Sequence, residues 1–436
     1  MKAITILKDA SGFAFGTTIS RVLGFIREMM FAYLFGAGMM MDVFRVAFRI
    51  PNLLRDLLAE GTLTPAFLPM FSDSYTQKGK KESAQFMSQM IGAMLLITGG
   101  ITIIGIIFAP IWVKFISFGF THTPEKYWLT VKLTRIMFPF LIFISIAALV
   151  MGINNFFNHF FIAGAAPSVF NIAIIGCGLL LSKKLGIQSI AIGALLGGAL
   201  QFIYQSSWLH KDGYTTIPKF KFDKDIKRVF ALMLPISLGY GAGKINVIVN
   251  TQIASFLGHG VISWLSYAFE LMFVPVGIIG VALENVTLPF VSKEMSAKNK
   301  VEFKDTMRIS LVYGALASIV VTIGIWVFAT PICRIIYQHG SFTAQDTLAT
   351  ASALKFYCIG IPGLILTKIL ATGFYALKDT KKPMIASFVA VAVNVVLSLT
   401  LVRVLSFKGI ALAASLSNLV NTIILWILLK NKIFTS

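Results

Sequence analysis

Residues 68–83, LPMFSDSYTQKGKKES, return as LPFVSKEMSAKNKVEF at residues 288–303, a shift of 220 in a chain of 436. Each copy closes an apolar run with Leu-Pro and opens into a polar, basic loop. A second echo lies near the end of each half, where GIQSIAIGALL from Gly186 resembles LSFKGIALAAS from Leu405. A chain that repeats at half its own length is built from two similar halves. What surrounds the repeat decides their nature. The protein is 57% hydrophobic and 13% charged, with mean hydropathy +0.82, against roughly 25% charged residues in a soluble domain. Apolar runs recur from end to end, each about as long as the ~30 Å of hydrocarbon requires. A backbone in lipid must satisfy its own polar groups, so these runs are helices.

Twelve helical segments are expected, near 10–37, 41–72, 84–117, 127–157, 160–182, 187–209, 227–257, 262–293, 304–329, 345–375, 382–404 and 408–430. They make an all-α membrane protein of two pseudo-symmetric six-helix halves, 1–209 and 228–436, joined by a basic linker at 210–227. The net charge of +20 does not point to nucleic acid, because the Lys and Arg sit in short loops between apolar runs. One set of loops holds Lys78, Lys80, Lys81, Lys211, Lys219, Lys221, Lys224, Lys227, Arg228, Lys293, Lys298, Lys300, Lys304, Lys378, Lys381 and Lys382, while the other loops hold little: Lys126, Lys183, Lys184, Arg334, Arg403 and Lys408. The termini, with Lys2, Lys8, Lys430 and Lys432, fall on the side of the first set. The basic side is cytoplasmic by the positive-inside rule, so both termini are expected inside. With six helices per half, the repeat is parallel, and substrate sites in such proteins lie near the membrane midplane. Cys177, Cys333 and Cys358 have no metal-ligand spacing and read as packing residues. The five histidines form no metal motif, and no phosphate-binding loop or nucleophile elbow is present. The sequence therefore reads as a transporter, not an enzyme, with no cofactor.

Charge inside the apolar segments carries the functional signal, since a cation at the bilayer centre costs about 2.5–3.5 kcal/mol even on the gentlest scale. The first segment holds Arg21, Arg27 and Glu28 in SRVLGFIRE, which starts at Ser20; the second holds Asp42, Arg45, Arg49, Arg55, Asp56 and Glu60. Arg21 and Glu28 are two helical turns apart, and Asp42, Arg45, Arg49, Asn52 and Asp56 follow spacings of three and four, a polar stripe down one face. Mutual neutralisation is the bland reading, with Glu28 opposite Arg21 and Asp42 opposite Arg45 or Arg49. Five arginines outnumber four acids here, and a planar guanidinium suits bidentate phosphate binding, so an anion-binding cavity is favoured. In the second half, SLGYGAGKINVIVNTQ from Ser237 holds Lys244 and Asn250, with Gly239, Gly241 and Gly243 making the helix easy to bend. Glu270 is the best candidate there for a protonatable or ion-pairing acid, while Lys355 and Lys368 fit snorkelling toward headgroups.

At these helices the sequence resembles a known family. SRVLGFIREMMFAYLFGAG (20–38) and DVFRVAFRIPNLLRDLLAEGTLTPAFLPMF (42–71) closely resemble the MurJ (MviN) lipid II flippases, of the multidrug/oligosaccharidyl-lipid/polysaccharide exporter superfamily, which includes the MATE-like transporters. PVGIIGVALENVTLPFVS from Pro275 and GFYALKDTKKP from Gly373 extend the likeness more weakly. The resemblance implies a multi-pass protein of the bacterial inner membrane that flips the undecaprenyl-pyrophosphate-linked peptidoglycan precursor. Its partners would be that lipid-linked anion, membrane lipids and other cell-wall synthesis proteins. Arg21, Arg27 and Arg55 match the family's cationic cavity positions, with Asp42 as the matching acid and Ser20, Glu28 and Arg49 beside them. Two departures stand out. YAFELMFVP puts Glu270 where the family has an arginine, with Lys244 as the cation that compensates, and Asn250 stands where sodium-binding relatives have an acid, which argues against sodium coupling.

Overall fold

The computed structural model describes residues 2–60, 62–297 and 299–434, with side chains omitted for 2–10, 60, 238–240, 242–243 and 432–434. Lys298, and the side chains of Lys2, Lys8, Glu60 and Lys432, therefore lie outside the described residues. The described chain is helical throughout, without strands. It divides into two compact units: Met1–Phe35 with Met39–Lys244, and Gly36–Gly38 with Ile245–Ser436.

The first unit contains α1 (Lys2–Phe35), α2 (Met39–Arg55), α3 (Leu63–Lys78), α4 (Lys80–Ile107), α5 (Ala109–Ile116), α6 (Pro124–Met137), α7 (Phe140–Phe156), α8 (Phe160–Leu185), α9 (Gln188–Lys211) and most of α10 (Lys224–Ser255). The second contains α11 (Val261–Pro275), α12 (Val281–Ser296), α13 (Lys300–Tyr337), α14 (Ala344–Cys358), α15 (Ile361–Ala376), α16 (Lys381–Leu405) and α17 (Phe407–Phe434).

Several expected segments are broken, and proline accounts for the breaks. The run at 41–72 becomes α2, a π turn at Asp56–Glu60 and α3; the run at 262–293 becomes α11, a π turn at Val276–Gly280 and α12. Pro51 and Pro275 precede the two π turns. A proline removes one i→i−4 bond and crowds the preceding turn, which a π turn absorbs locally. Pro110 opens α5, Pro139 caps α7 and Pro362 lies in the first turn of α15. At the last of these, α14 and α15 meet at a 40° bend.

Among the described residues, eight helical stretches are long and apolar enough to cross a membrane, or nine if the bent α14–α15 pair is one crossing. That is fewer than the twelve runs expected from sequence. The other three expected runs, at 10–37, 41–72 and 227–257, are helical as α1, α2–α3 and α10 but are not among those stretches. Apolar side chains facing outward along α13, among them Val312, Leu316, Ile319, Val320, Ile323 and Val327, are exposed. A surface this apolar is stable only against hydrocarbon or protein.

The core of the first unit is aromatic and methionine-rich, with Phe67, Phe71, Phe86, Met87, Met90, Leu149 and Ile153 buried together. The basic segment expected at 210–227 is drawn into it. Tyr214, Ile226 and Val229 are part of that cluster. The Tyr214 hydroxyl lies 3.0 Å from Ser83 Oγ, and Lys219 N–H donates to the Ser88 carbonyl at 2.9 Å. His159 pairs with Asp212 at 2.8 Å. Burial pushes the Tyr214 phenol above its usual 10, the nearby Tyr75 and Asp212 act in the same direction, and the Ser83 hydrogen bond pulls back.

Two glycines set the separation of α1 and α8. A Cβ on Gly16 would lie 2.8 Å from the Ala165 backbone nitrogen, and one on Gly164 would lie 2.6 Å from the Phe13 carbonyl oxygen. Backbones pack this closely only across small residues.

In the second unit, Tyr267, Tyr337 and Phe342 pack with ring centroids 4.8–5.7 Å apart, and the Tyr267 hydroxyl donates to the Gly36 carbonyl at 3.2 Å. Trp264 Nε1 donates at 2.8 Å to Asp346, whose other oxygen closes the capping box with Thr343 at the start of α14.

Candidate functional site: charged clusters in the first unit

The intramembrane charges of α1 and α2 collect into three clusters, and their partners differ from those that spacing suggests. Glu28, nearly fully buried, is gripped by Arg27 Nη2 at 2.7 Å and by Arg45 in a close ion pair. Arg27 Nη1 also donates to Asn171 Oδ1 of α8 at 3.0 Å, and Asn171 Nδ2 donates back to the Ser20 carbonyl at 3.1 Å. Both guanidiniums sit over the Phe31 ring, 5.6 and 6.0 Å from its centroid, a favourable placement for a cation leaving water. Arg27 Nε is buried without a hydrogen-bond partner among the described residues. The close backbone contact of α1 with α8 is what brings Arg27 and Asn171 together.

Asp42 departs from the expectation that it lines a cavity. It is 0% exposed, and Lys126 Nζ, almost as deeply buried, donates to it at 2.9 Å. Lys126 stands in the first turn of α6, over the Phe120 ring at 4.1 Å, where the sequence suggested a loop cation. Two buried charges of this kind need each other: removing one partner of a buried pair typically costs about 3–5 kcal/mol.

The third cluster forms at the π turn. Asp56 receives Arg55 Nη2 at 2.9 Å and Lys244 Nζ at 2.5 Å. The Leu57 carbonyl, loosened by the π geometry, accepts from Thr62 Oγ1 and from Ser237 Oγ of α10, both at 2.9 Å. Lys244 is thus tied to the Arg55–Asp56 corner of its own unit. The first and third clusters share one plan: a carboxylate held between two cations, one of them its immediate chain neighbour. Arg21 is exposed on α1 with no carboxylate within salt-bridge reach among the described residues, and Arg49 is half-buried on α2.

The second unit carries its own polar groups. Glu270 is exposed on α11. Asn250 Oδ1 accepts from Ser398 Oγ at 3.3 Å, and Asn394, one turn earlier on α16, is buried with both side-chain polar atoms lacking a partner among the described residues. Lys368, expected to snorkel, instead pairs with Glu284 at 2.9 Å, each about one-third exposed. Among the described residues, no group of three or more His, Cys, Asp or Glu side chains converges as metal ligands would.

Sequence reasoning missed Asn171, Lys126 and Glu284 as partners. Asn171 had a usable signal, an isolated amide in the apolar run of α8. Lys126 had none: it lies 84 residues from Asp42 and reads as a loop charge.

Comparison with known proteins finds relatives along nearly the whole chain. A family model described as lipid II flippase MurJ matches residues 31–435. The probable lipid II flippase MurJ of Buchnera aphidicola subsp. Acyrthosiphon pisum is 34% identical over 429 residues, 97% of this chain and 83% of the relative. The lipid II flippase MurJ of Burkholderia cenocepacia is 32% identical over 442 residues, 99% of this chain and 84% of the relative. A solved lipid II flippase MurJ in an inward closed conformation superposes with TM-score 0.84 at 30% identity, covering 96% of this chain and 87% of that one. An inward-facing MATE family multidrug transporter superposes at 0.80 with 15% identity, covering 95% of each chain, a likeness of fold alone. On sequence and structure together, the chain belongs to the lipid II flippase MurJ family.

Proposed function

We infer that the protein is a flippase that carries lipid II, the polyprenyl-pyrophosphate-linked peptidoglycan precursor, across the bacterial inner membrane by alternating access. The observation that carries the reading is the excess of cations over carboxylates on α1 and α2, arranged so that two acids are each held between two cations. Guanidiniums held in fixed orientations suit the planar, bidentate recognition that a pyrophosphate requires.

On this reading Arg21, Arg27, Arg49 and Arg55 meet the pyrophosphate, with Ser20 beside them. Glu28 and Lys244 orient the arginine clusters, and Asp42, sealed against Lys126, fixes α2. Glu270 and Asn250 are the groups of the second unit assigned to coupling or ion pairing. The amides at Asn250 and Asn394 offer a cation only neutral oxygens, which speaks against sodium as the coupling ion. Twelve crossings in two six-helix halves, with both termini in the cytoplasm, follow if α1, α2–α3 and α10 cross as polar helices facing water. The basic loops support that orientation. Other cell-wall synthesis proteins are the natural neighbours of such a flippase.

Complementation of a strain depleted of its own lipid II flippase tests the function. The wild-type chain is expected to restore growth, with Arg27→Ala and Arg55→Ala failing at matched membrane levels. A well-expressed wild type that does not rescue would point to another polyprenyl-linked glycan, with Glu270 the first residue to exchange.

A further inference from the structure

A cavity of about 410 Å³ opens in the second unit between the first turns of α13 and the last turns of α17. It exists because α13 and α17 each pack along α15 rather than along each other. Its floor is apolar and buried: Met307 of α13 and Leu429 of α17 converge on Gly373 of α15, where a Cβ would lie 3.1 Å from Met307 Cε and 3.2 Å from Leu429 Cδ2. Its rim is basic. Lys304, Arg308 and Lys430 line it against one acid, Asp305. Arg308 and Lys430 are exposed and, among the described residues, have no carboxylate within salt-bridge reach. Trp426, half-exposed, forms part of the wall.

We propose that this cavity is a binding site for an anionic phospholipid, distinct from the charged clusters of α1 and α2, with the lipid phosphate held by Arg308 and Lys430 and an acyl chain lying over the apolar floor. Charge complementarity selects the occupant. Three cations around one carboxylate favour a ligand that brings negative charge, and basic pockets between membrane helices at the interface take phospholipid head groups. A soluble anion would use the rim but not the floor. A neutral lipid would use the floor but leave Arg308 and Lys430 uncompensated. Beyond the cavity, exposed Val312 and Leu316 on α13 and Ile423 on α17 continue the apolar surface, so a chain that starts at the floor has somewhere to run. Trp426 is the residue type that sits at the level of head groups.

The test uses the full-length protein, stripped of lipid in detergent and titrated with dioleoylphosphatidylglycerol or dioleoylphosphatidylcholine while bound lipid is counted by native mass spectrometry. The wild type is expected to select the phosphatidylglycerol. Arg308→Gln and Lys430→Gln are each expected to weaken that binding by about fivefold, the worth of one interfacial cation. Lys183→Gln, an exposed cation at the end of α8, serves as control and is expected to leave it unchanged. Equal binding of the two lipids by the wild type overturns the proposal, whatever the variants do. So does equal weakening by Lys183→Gln, or displacement of the lipid by glycerol phosphate at matching concentration. None of these readouts involves transport, so the flippase reading and this site stand or fall separately.

Discussion

Residue by residue, the charged side chains fall into two kinds, and they answer differently to mutation. Lys126 and Asp42 are sealed together. Lys126→Met strands a buried carboxylate, with an expected loss of about 3–5 kcal/mol, read as a lower thermal midpoint and lower membrane levels. Adding Asp42→Asn to Lys126→Met is expected to recover most of that loss; a double variant as unstable as the single would show that the pair matters for something other than charge. Lys244→Ala leaves Asp56 with Arg55 alone. It is expected to fold and to lose complementing activity, and full activity at matched levels would remove Lys244 from the site. Sequence spacing located these residues on the right helices but misassigned their partners. Helical periodicity reports neighbours three or four residues apart, whereas Glu28, Asp42 and Asp56 each take a partner from elsewhere in the chain, Arg45, Lys126 and Lys244.

At the scale of the element, two devices place those residues. The first is the glycine contact of α1 with α8. Gly164→Leu has no room beside the Phe13 carbonyl. It is expected to push α1 away from Asn171 and destabilise the protein by several kcal/mol, on the order of other overpacked cores. Thermal unfolding in detergent measures that, and an unchanged midpoint would mean that the helices tolerate separation. The second is the docked 212–223 segment. Tyr214 is buried, so its folded-state pKa is raised above its unfolded value. A raised pKa contributes stability that is complete below the unfolded value near 10 and is lost as pH rises through the folded one. Trypsin cleavage at Lys219 and Lys221 is therefore expected to accelerate above about pH 10 in the wild type. Tyr214→Phe is expected to remove that dependence, after correction for the protease's own pH profile. From sequence this stretch read as a basic linker, because a single tyrosine among lysines gives no sign that it will be buried. The helix breaks were more legible, since Pro51, Pro110, Pro139, Pro275 and Pro362 all stand in the sequence.

For the whole molecule, the half-length repeat and the rhythm of apolar runs gave the helical membrane class, and the stretch from Ser20 to Phe71 gave the family. What hydropathy could not supply was the partners of the charges on α1, the α2–α3 run and α10, because those partners lie far along the chain. Those charges also have an electrical consequence. A carrier whose empty site is rich in positive charge feels the transmembrane voltage when it reorients, each elementary charge crossing the full field being worth about 2.3 kcal/mol per 100 mV. A pyrophosphate neutralises much of that charge, so the loaded step is nearly silent and the return of the empty site is the electrogenic one. On the flippase reading, an interior-negative voltage draws the unloaded arginines back toward the side where the precursor is made, which makes the return step the one that answers to the membrane potential.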